Sequence, residues 1–209
     1  MENGILAIDS SNSHLSVGLF NGRNLLYKEI GEFNQSTSEV IFELIDSLFL
    51  KEKKKLSDLK KIVVCTGPGN FTGIRTGYSA AKGLAFGLGI ELIGVTLFEA
   101  LALSQKKCSV IFNNKFGKFL IQRFCYGKEI TKVQEIDELE VTRLLQNKKE
   151  PIVGFQFQEA FRTFNLFEKV EILDIEKITS WAIKNEGSSP TRAKPFYFVP
   201  PRVSIPKAK

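Results

Sequence analysis

The sequence predicts an α/β fold built twice, with two βββαβαβα halves facing each other across a cleft. Three observations predict it. The first thirty residues hold three β-like runs; a glycine-rich GPGNFTG turn at 67–73 joins a β-branched run to a small-residue helix; and the order of elements beyond residue 105 repeats the order before it. A chain of 209 residues with 43% hydrophobic content is long and apolar enough to bury the core this fold requires.

Ile5 to Ile8, Leu15 to Phe20 and Leu25 to Ile30 are the opening strands, separated by SSNS and by Asn21-Gly22. Asn-Gly between apolar runs predicts a hairpin with both turn residues at positive φ. Ser36-Thr37-Ser38-Glu39 reads as a capping box, with Ser36 as N-cap and Glu39 at N3, opening a helix to about Leu50. After a lysine-rich link, Ile62 to Thr66 is a short buried strand, and GPGNFTG, with Thr72 as capping residue, turns it into a helix ending near Gly87. Ile90 to Val95 is the next strand, and the capping box Thr96-Leu97-Phe98-Glu99 starts a helix over roughly 97–104.

In the second half, Val110 to Phe112, Lys118 to Tyr126 and Glu129 to Gln134 form the antiparallel triple, with Asn113-Asn114-Lys115 as a turn. Asp137 caps a helix to Gln146, with Glu140 at N3. A strand at Ile152 to Phe155, a short helix at Gln158 to Phe164, a strand at Val170 to Leu173 and a helix at Ile175 to Asn185 complete the repeat. The tail from Gly187 holds five of the seven prolines and reads as extended and irregular. This duplicated order is that of the actin-like (ASKHA, ribonuclease H-like) architecture of actin, hexokinase and Hsp70, with domains expected at 1–104 and 105–209.

Composition narrows the function classes. Cys65, Cys108 and Cys125 are odd in number, widely spaced and set in apolar stretches, which argues against a disulfide framework or a zinc cluster and for a reducing cytoplasm. The N-terminus has no basic region before its apolar run, which already contains Asp9, so it does not read as a secretory signal. No segment approaches a membrane-spanning length. A net charge of +6 favours encounter with polyanions such as RNA without specifying recognition.

Asp9, Ser10 and Ser11 follow the first strand, where an actin-like ATPase places a carboxylate for hydrated Mg²⁺ and hydroxyls for phosphate. Asp and Ser are equally at home in an ordinary strand-end turn, and as an isolated tripeptide that reading is favoured. In the GPGNFTG loop, Gly67, Gly69 and Asn70 gather backbone amides at the positive end of a helix, which suits phosphate. The loop departs from the Walker pattern, because Ile74 and Arg75 follow Gly73 where lysine and Ser or Thr are needed. Phosphate cradle and tight turn both stay open. His14, the single histidine, has no acidic or sulfur neighbours suited to a metal, and no Ser-His-Asp set exists. The KEKKK run at 51–55 reads as a solvated helix end.

Two helices carry more apolar surface than one contact requires. On the first, Val40, Ile41, Leu44 and Leu48 form one stripe and Phe42, Ile45 and Phe49 a second beside it. On the second, Gly73, Gly77, Ala80 and Leu84 form a close-packing face, with Ile74, Tyr78, Ala81 and Ala85 adjacent. The surplus stripes are expected to meet a partner, with a core that wraps both helices as the alternative.

Residues 67–102, GPGNFTGIRTGYSAAKGLAFGLGIELIGVTLFEALA, closely resemble the signature of the TsaB family: a GPGSFTGLR loop, an AKGLA helix, a strand and a capped EALA helix. ILAIDSSNSHLSVGLF is similar to that family's first hairpin, and TSEVIFELIDSLF resembles its HSE helix with Thr37 in place of histidine. The resemblance is strong over residues 4–104. Further on, VIFNNKFGKFLIQRF resembles an IDARRGEVY hairpin with Asn113 in place of aspartate, and PFYFVPP resembles a terminal PxYLRPP, in a shortened second domain.

The resemblance implies a catalytically inactive, metal-free subunit for threonylcarbamoylation of the adenosine beside the anticodon in tRNA. It implies docking through the first-domain helices onto TsaD, the relative with a metal-binding HxxxH motif, and it implies assembly with the ATPase TsaE. It also implies a surface that supports a homodimer, and at most a nucleotide at a subunit boundary. The rival readings are an active actin-like ATPase, kinase or metallopeptidase using Asp9 and the glycine loop, and a stand-alone basic RNA binder.

Overall fold

Gly4–Asp9 (β1), His14–Asn21 (β2) and Asn24–Glu32 (β3) form an antiparallel meander, and Leu59–Cys65 (β4) and Glu91–Val95 (β5) extend it in parallel on the other side of β1. The resulting sheet has the order β3-β2-β1-β4-β5. In this computed structural model, residues 1–12, 14–32, 37–103, 105–114, 118–147, 150–156, 168–170, 173–185 and 193–198 are described. β1 is buried at all six positions because it lies between β2 and β4 and is covered on both faces, which is why it reads as an unbroken apolar run up to Asp9.

The β2-β3 turn differs from expectation. Asn21 still pairs with Asn24, so the loop is Gly22-Arg23, and only Gly22 takes positive φ (59°). Glycine at the first of two loop positions supplies the reversal alone, leaving Asn21 in the ladder.

Lys107–Asn113 (β6), Lys118–Cys125 (β7), Lys128–Glu129 (β8), Gln134–Asp137 (β9), Ile152–Phe155 (β10) and Glu168–Val170 (β11) build the second sheet, ordered β11-β10-β6-β7-β8 with β9 also on β7. With β9 as third strand, this repeats the order of the first sheet. The single strand expected at 129–134 is instead divided: β8 pairs with the end of β7, and β9 with its beginning. Between them the Thr131 hydroxyl accepts from Arg123 N at 3.0 Å, so a side chain takes over a ladder bond and the chain steps aside.

The helices are Thr37–Lys51 (α1), Phe71–Leu88 (α2), Leu97–Ala102 (α3), Glu138–Asn147 (α4) and Ile175–Lys184 (α5). The expected cap Ser36, the helix at 158–164, Lys115 and most of the tail lie outside the described residues. α2 is capped by Asn70, whose Oδ1 accepts from Gly73 N at 3.1 Å; Thr72 lies one position inside the helix. Both partners of the Thr96/Glu99 box are made in α3, and Asp137 Oδ1 accepts from Glu140 N at 2.8 Å to open α4.

Helices and sheets alternate in layers. α1 and α2 cover the outer face of the first sheet, α3 and α5 lie between the sheets, and α4 covers the outer face of the second. α5 follows the second sheet in sequence yet packs on β1, β2, β4 and β5 and against α3. Strands therefore divide near residue 105, whereas the last helix returns to the first half.

The layering corrects the expected docking stripes. Ile45, Phe49, Ile74, Ala81 and Ala85 are buried within this chain. α1 and α2 lie beside each other on the sheet, so each helix is covered by two neighbours and its apolar arc is correspondingly wide.

Candidate functional site

The turn after β1 meets the first turn of α2 at contact distance. Asp9, Ser10 and Ser11 are almost fully buried, at 3%, 1% and 0% exposure. Asp9 Oδ1 accepts from Ser11 N at 2.9 Å and from Ser11 Oγ at 2.7 Å. Asn12 Nδ2 donates to Ser11 Oγ at 2.8 Å, and Cys65 Sγ to the same oxygen at 3.5 Å. Ser10 Oγ donates to the Gly73 carbonyl at 2.7 Å, and Asn70 N to the Ser11 carbonyl at 2.5 Å.

The glycines serve this approach. A Cβ on Gly69 would lie 1.9 Å from Ser11 O, one on Gly73 2.0 Å from Ser10 O, and one on Gly77 2.0 Å from Ser10 Oγ. Gly67, at φ 104°, needs glycine for its backbone as well. The expected cleft residues Asp9, Ser10, Ser11, Gly69 and Asn70 are thus brought together, with the Asp9 carboxylate and the Ser11 hydroxyl turned toward each other and the Ser10 hydroxyl toward the Gly73 carbonyl.

The opposite wall of the cleft adds amides. Gln156, following β10 at φ 54°, donates from Nε2 to Asn12 Oδ1 at 3.3 Å, and its carbonyl accepts from Asn113 Nδ2 at 3.1 Å. Asn113 ends β6 as Asp9 ends β1, so an amide stands where the duplicated fold repeats the carboxylate position. Sequence reasoning missed Gln156, because nothing local marks a residue that acts across two sheets. Among the described residues, no cluster of three or more His, Cys, Asp or Glu side chains is placed to hold a metal ion.

Burial pushes the Asp9 carboxyl above its ordinary value of 3.8, outweighing the Ser11 bonds that favour the charged form. Its stabilisation is complete below the unfolded value and is lost as pH rises through the raised folded value. Asp9→Asn keeps an acceptor for Ser11 and removes the buried charge. It should raise the melting temperature at pH 7.5 by about 2–4 °C, corresponding to about 1 kcal/mol, and flatten this part of the pH dependence in melts from pH 4 to 8. Burial also pushes the Cys65 thiol well up, which removes it as a thiolate nucleophile.

A groove of about 450 Å³ runs between α1 and α2 on the face away from the sheet, lined by Ile41, Phe42, Arg75, Thr76, Ser79 and Ala80. Phe42 is 47% exposed at its edge, and Phe86, farther along α2, is 90% exposed. Of the expected docking residues, Phe42 is outward, whereas half-buried Tyr78 donates its hydroxyl to the Ala193 carbonyl at 2.6 Å. Phe86, which is not among the expected docking residues, carries a local signal all the same, as the one large apolar residue among Lys82, Gly83 and Gly87 on the exposed arc of α2. Arg75 and the tail carry none.

The family profile for TsaD, described as tRNA N6-adenosine threonylcarbamoyltransferase, matches residues 32–112. The chain is 29% identical over 157 residues to the tRNA threonylcarbamoyladenosine biosynthesis protein TsaB of Bacillus subtilis, covering 71% of this chain and 69% of that one. It is 27% identical over 187 residues to the TsaB of Buchnera aphidicola from Schizaphis graminum, covering 83% and 89%. A crystal structure of a Pseudomonas aeruginosa protein with similarity to peptidase YEAZ superposes with a TM-score of 0.75 at 17% identity, covering 93% of this chain and 99% of that one. The fold is actin-like.

Proposed function

We propose that the chain is a TsaB-type protein, the non-catalytic subunit that docks onto and activates a TsaD-type enzyme in tRNA threonylcarbamoyladenosine biosynthesis, as its similarity to TsaB chains over most of its length supports. One observation carries the docking. The segment that resembles TsaD, residues 32–112, contains α1 and α2, and this helix pair bears the groove lined by exposed Phe42, with exposed Phe86 farther along α2. A TsaD-type chain with a corresponding pair can meet it face to face, related helix against related helix, in a pseudo-two-fold contact.

Charge supports the same arrangement. Exposed Glu39, Glu43 and Asp46 on α1 and exposed Arg75 and Lys82 on α2 give the groove an acidic and a basic bank, so an inverted related pair sets opposite signs together. The same surface supports self-association when TsaD is absent, and TsaE joins the assembled pair. tRNA reaches the chain through that complex, in the cytoplasm. No helix among the described residues is long and apolar enough to cross a membrane.

Catalytic inactivity is supported by the closed Asp9-Ser10-Ser11 turn and by the amides across the cleft. The reading is tested by reconstitution with TsaD, TsaE, threonylcarbamoyl adenylate and tRNA. Modification should depend on this chain and proceed unchanged with Asp9→Asn. Full modification without the chain removes the proposed role, and ATP turnover by the isolated chain that disappears in Asp9→Asn establishes the enzymatic alternative.

A further inference from the structure

The tail at Ala193–Phe198 is irregular, yet it is fastened at several points to the first half. Phe196 N donates to the Thr66 carbonyl at 2.8 Å, directly before the glycine loop, and Tyr78 Oη holds the Ala193 carbonyl at 2.6 Å. Gly94 leaves room for Ala193, whose Cβ would lie 3.1 Å from a Cβ placed there. The Phe196 ring meets Phe98 edge-on at 6.3 Å. Tyr197 packs 4.8 Å from Phe71, in the first turn of α2.

Arg75 links this strap to the groove. Its guanidinium lies 4.1 Å over Phe71 and 5.8 Å from the Tyr197 ring centre, and its Nε donates to Tyr197 Oη at 3.4 Å. It is also one of the residues that line the α1–α2 groove. A guanidinium laid on two aromatic faces has a fixed plane and direction, which a flexible lysine ammonium lacks.

We propose that the C-terminal strap is a positioning element of the docking face, in which Tyr197 holds Arg75 in place along the groove for the partner's acidic bank. The proposal rests on the docking reading above. Tyr197 acts through Arg75, so partner affinity depends on a residue 122 positions away in sequence. Ordering Arg75 before association lowers the entropy lost when the partner arrives.

The test is a double-mutant cycle on the full chain, with affinity for TsaD measured by calorimetry and stability by thermal melts. Tyr197→Ala and Arg75→Lys should each weaken binding about tenfold, the double variant should also lose about tenfold and not a hundredfold, and Tyr197→Phe should bind within about twofold of the parent. Melting temperatures should stay within about 3 °C. Parent-like binding by Tyr197→Ala, or a fully additive hundredfold loss in the double variant, overturns the proposal. Should Tyr197→Ala fail to fold, Arg75→Lys carries the decision, and its binding like the parent also overturns the proposal. Phe42→Glu separates the two levels: unaffected binding there removes the docking reading itself, while loss there with parent-like Tyr197→Ala removes only the strap.

Discussion

Gly73→Ala should destabilise the protein by about 3 kcal/mol or more, lowering the thermal midpoint by roughly 6–12 °C. The added methyl carbon would sit 2.0 Å from the Ser10 carbonyl oxygen, well inside contact distance. Neither partner yields easily. Ser10 ends a turn anchored by its own hydroxyl to the Gly73 carbonyl, and Gly73 N is held by the Asn70 cap. Relieving the clash therefore means separating β1 from α2 or unwinding the first turn of the helix.

The same helix supplies its own control. Nothing lies within 4 Å of a Cβ built on Gly83 or Gly87, so Gly83→Ala and Gly87→Ala should gain about 0.5–1 kcal/mol from helix propensity alone. A phosphate cradle adds a different signature, a melting point that rises with added nucleotide in the parent and in the Gly83 and Gly87 variants, whereas a loop that serves only the close approach shows no such rise. Thermal melts of the parent and the three variants, with and without added nucleotide, decide between these outcomes.

What the sequence disclosed follows how local each determinant is. The duplicated strand order was legible because each strand is a short apolar run between strong punctuators, and the Thr96 and Asp137 caps because cap and partner lie within one turn. Asn70 does not stand out as the cap because Thr72, two positions on, is also a capping residue, and only the structure shows the Asn70 side chain taking the Gly73 N–H. The burial of Ile45, Phe49, Ile74, Ala81 and Ala85 was out of reach for a different reason. A helical wheel reports the width of an apolar arc and says nothing of whether sheet, neighbouring helix or partner covers it. The strap was hidden by distance, since its anchors Thr66 and Tyr78 are more than a hundred residues earlier. Composition alone made the tail read as a loop. For the cleft, the residues were legible and their orientation was not: Asp9 and Ser11 suit a metal-phosphate site as well as each other, and only burial discriminates.

Phe42→Glu should weaken association with TsaD at least about a hundredfold while the free chain stays folded. Phe42 is 47% exposed, so a carboxylate there reaches water in the isolated protein. The main cost to the monomer is repulsion along α1 from Glu39 and Asp46, three residues before and four after, at roughly 0.2–0.5 kcal/mol each. Once a related helix pair covers the groove, the new charge sits in its apolar seam with its hydration stripped, a cost that a basic side chain of the partner offsets only in part. Ile45→Glu and Phe49→Glu place the same charge at positions 1% and 6% exposed, and should unfold the protein outright. Circular dichroism melts and binding isotherms on these variants, with Phe86→Glu as a second exposed site, separate surface from core. If Phe42→Glu and Phe86→Glu both bind TsaD like the parent, the α1–α2 face is not where the subunits meet, and the contact has to be sought on a surface other than this helix pair.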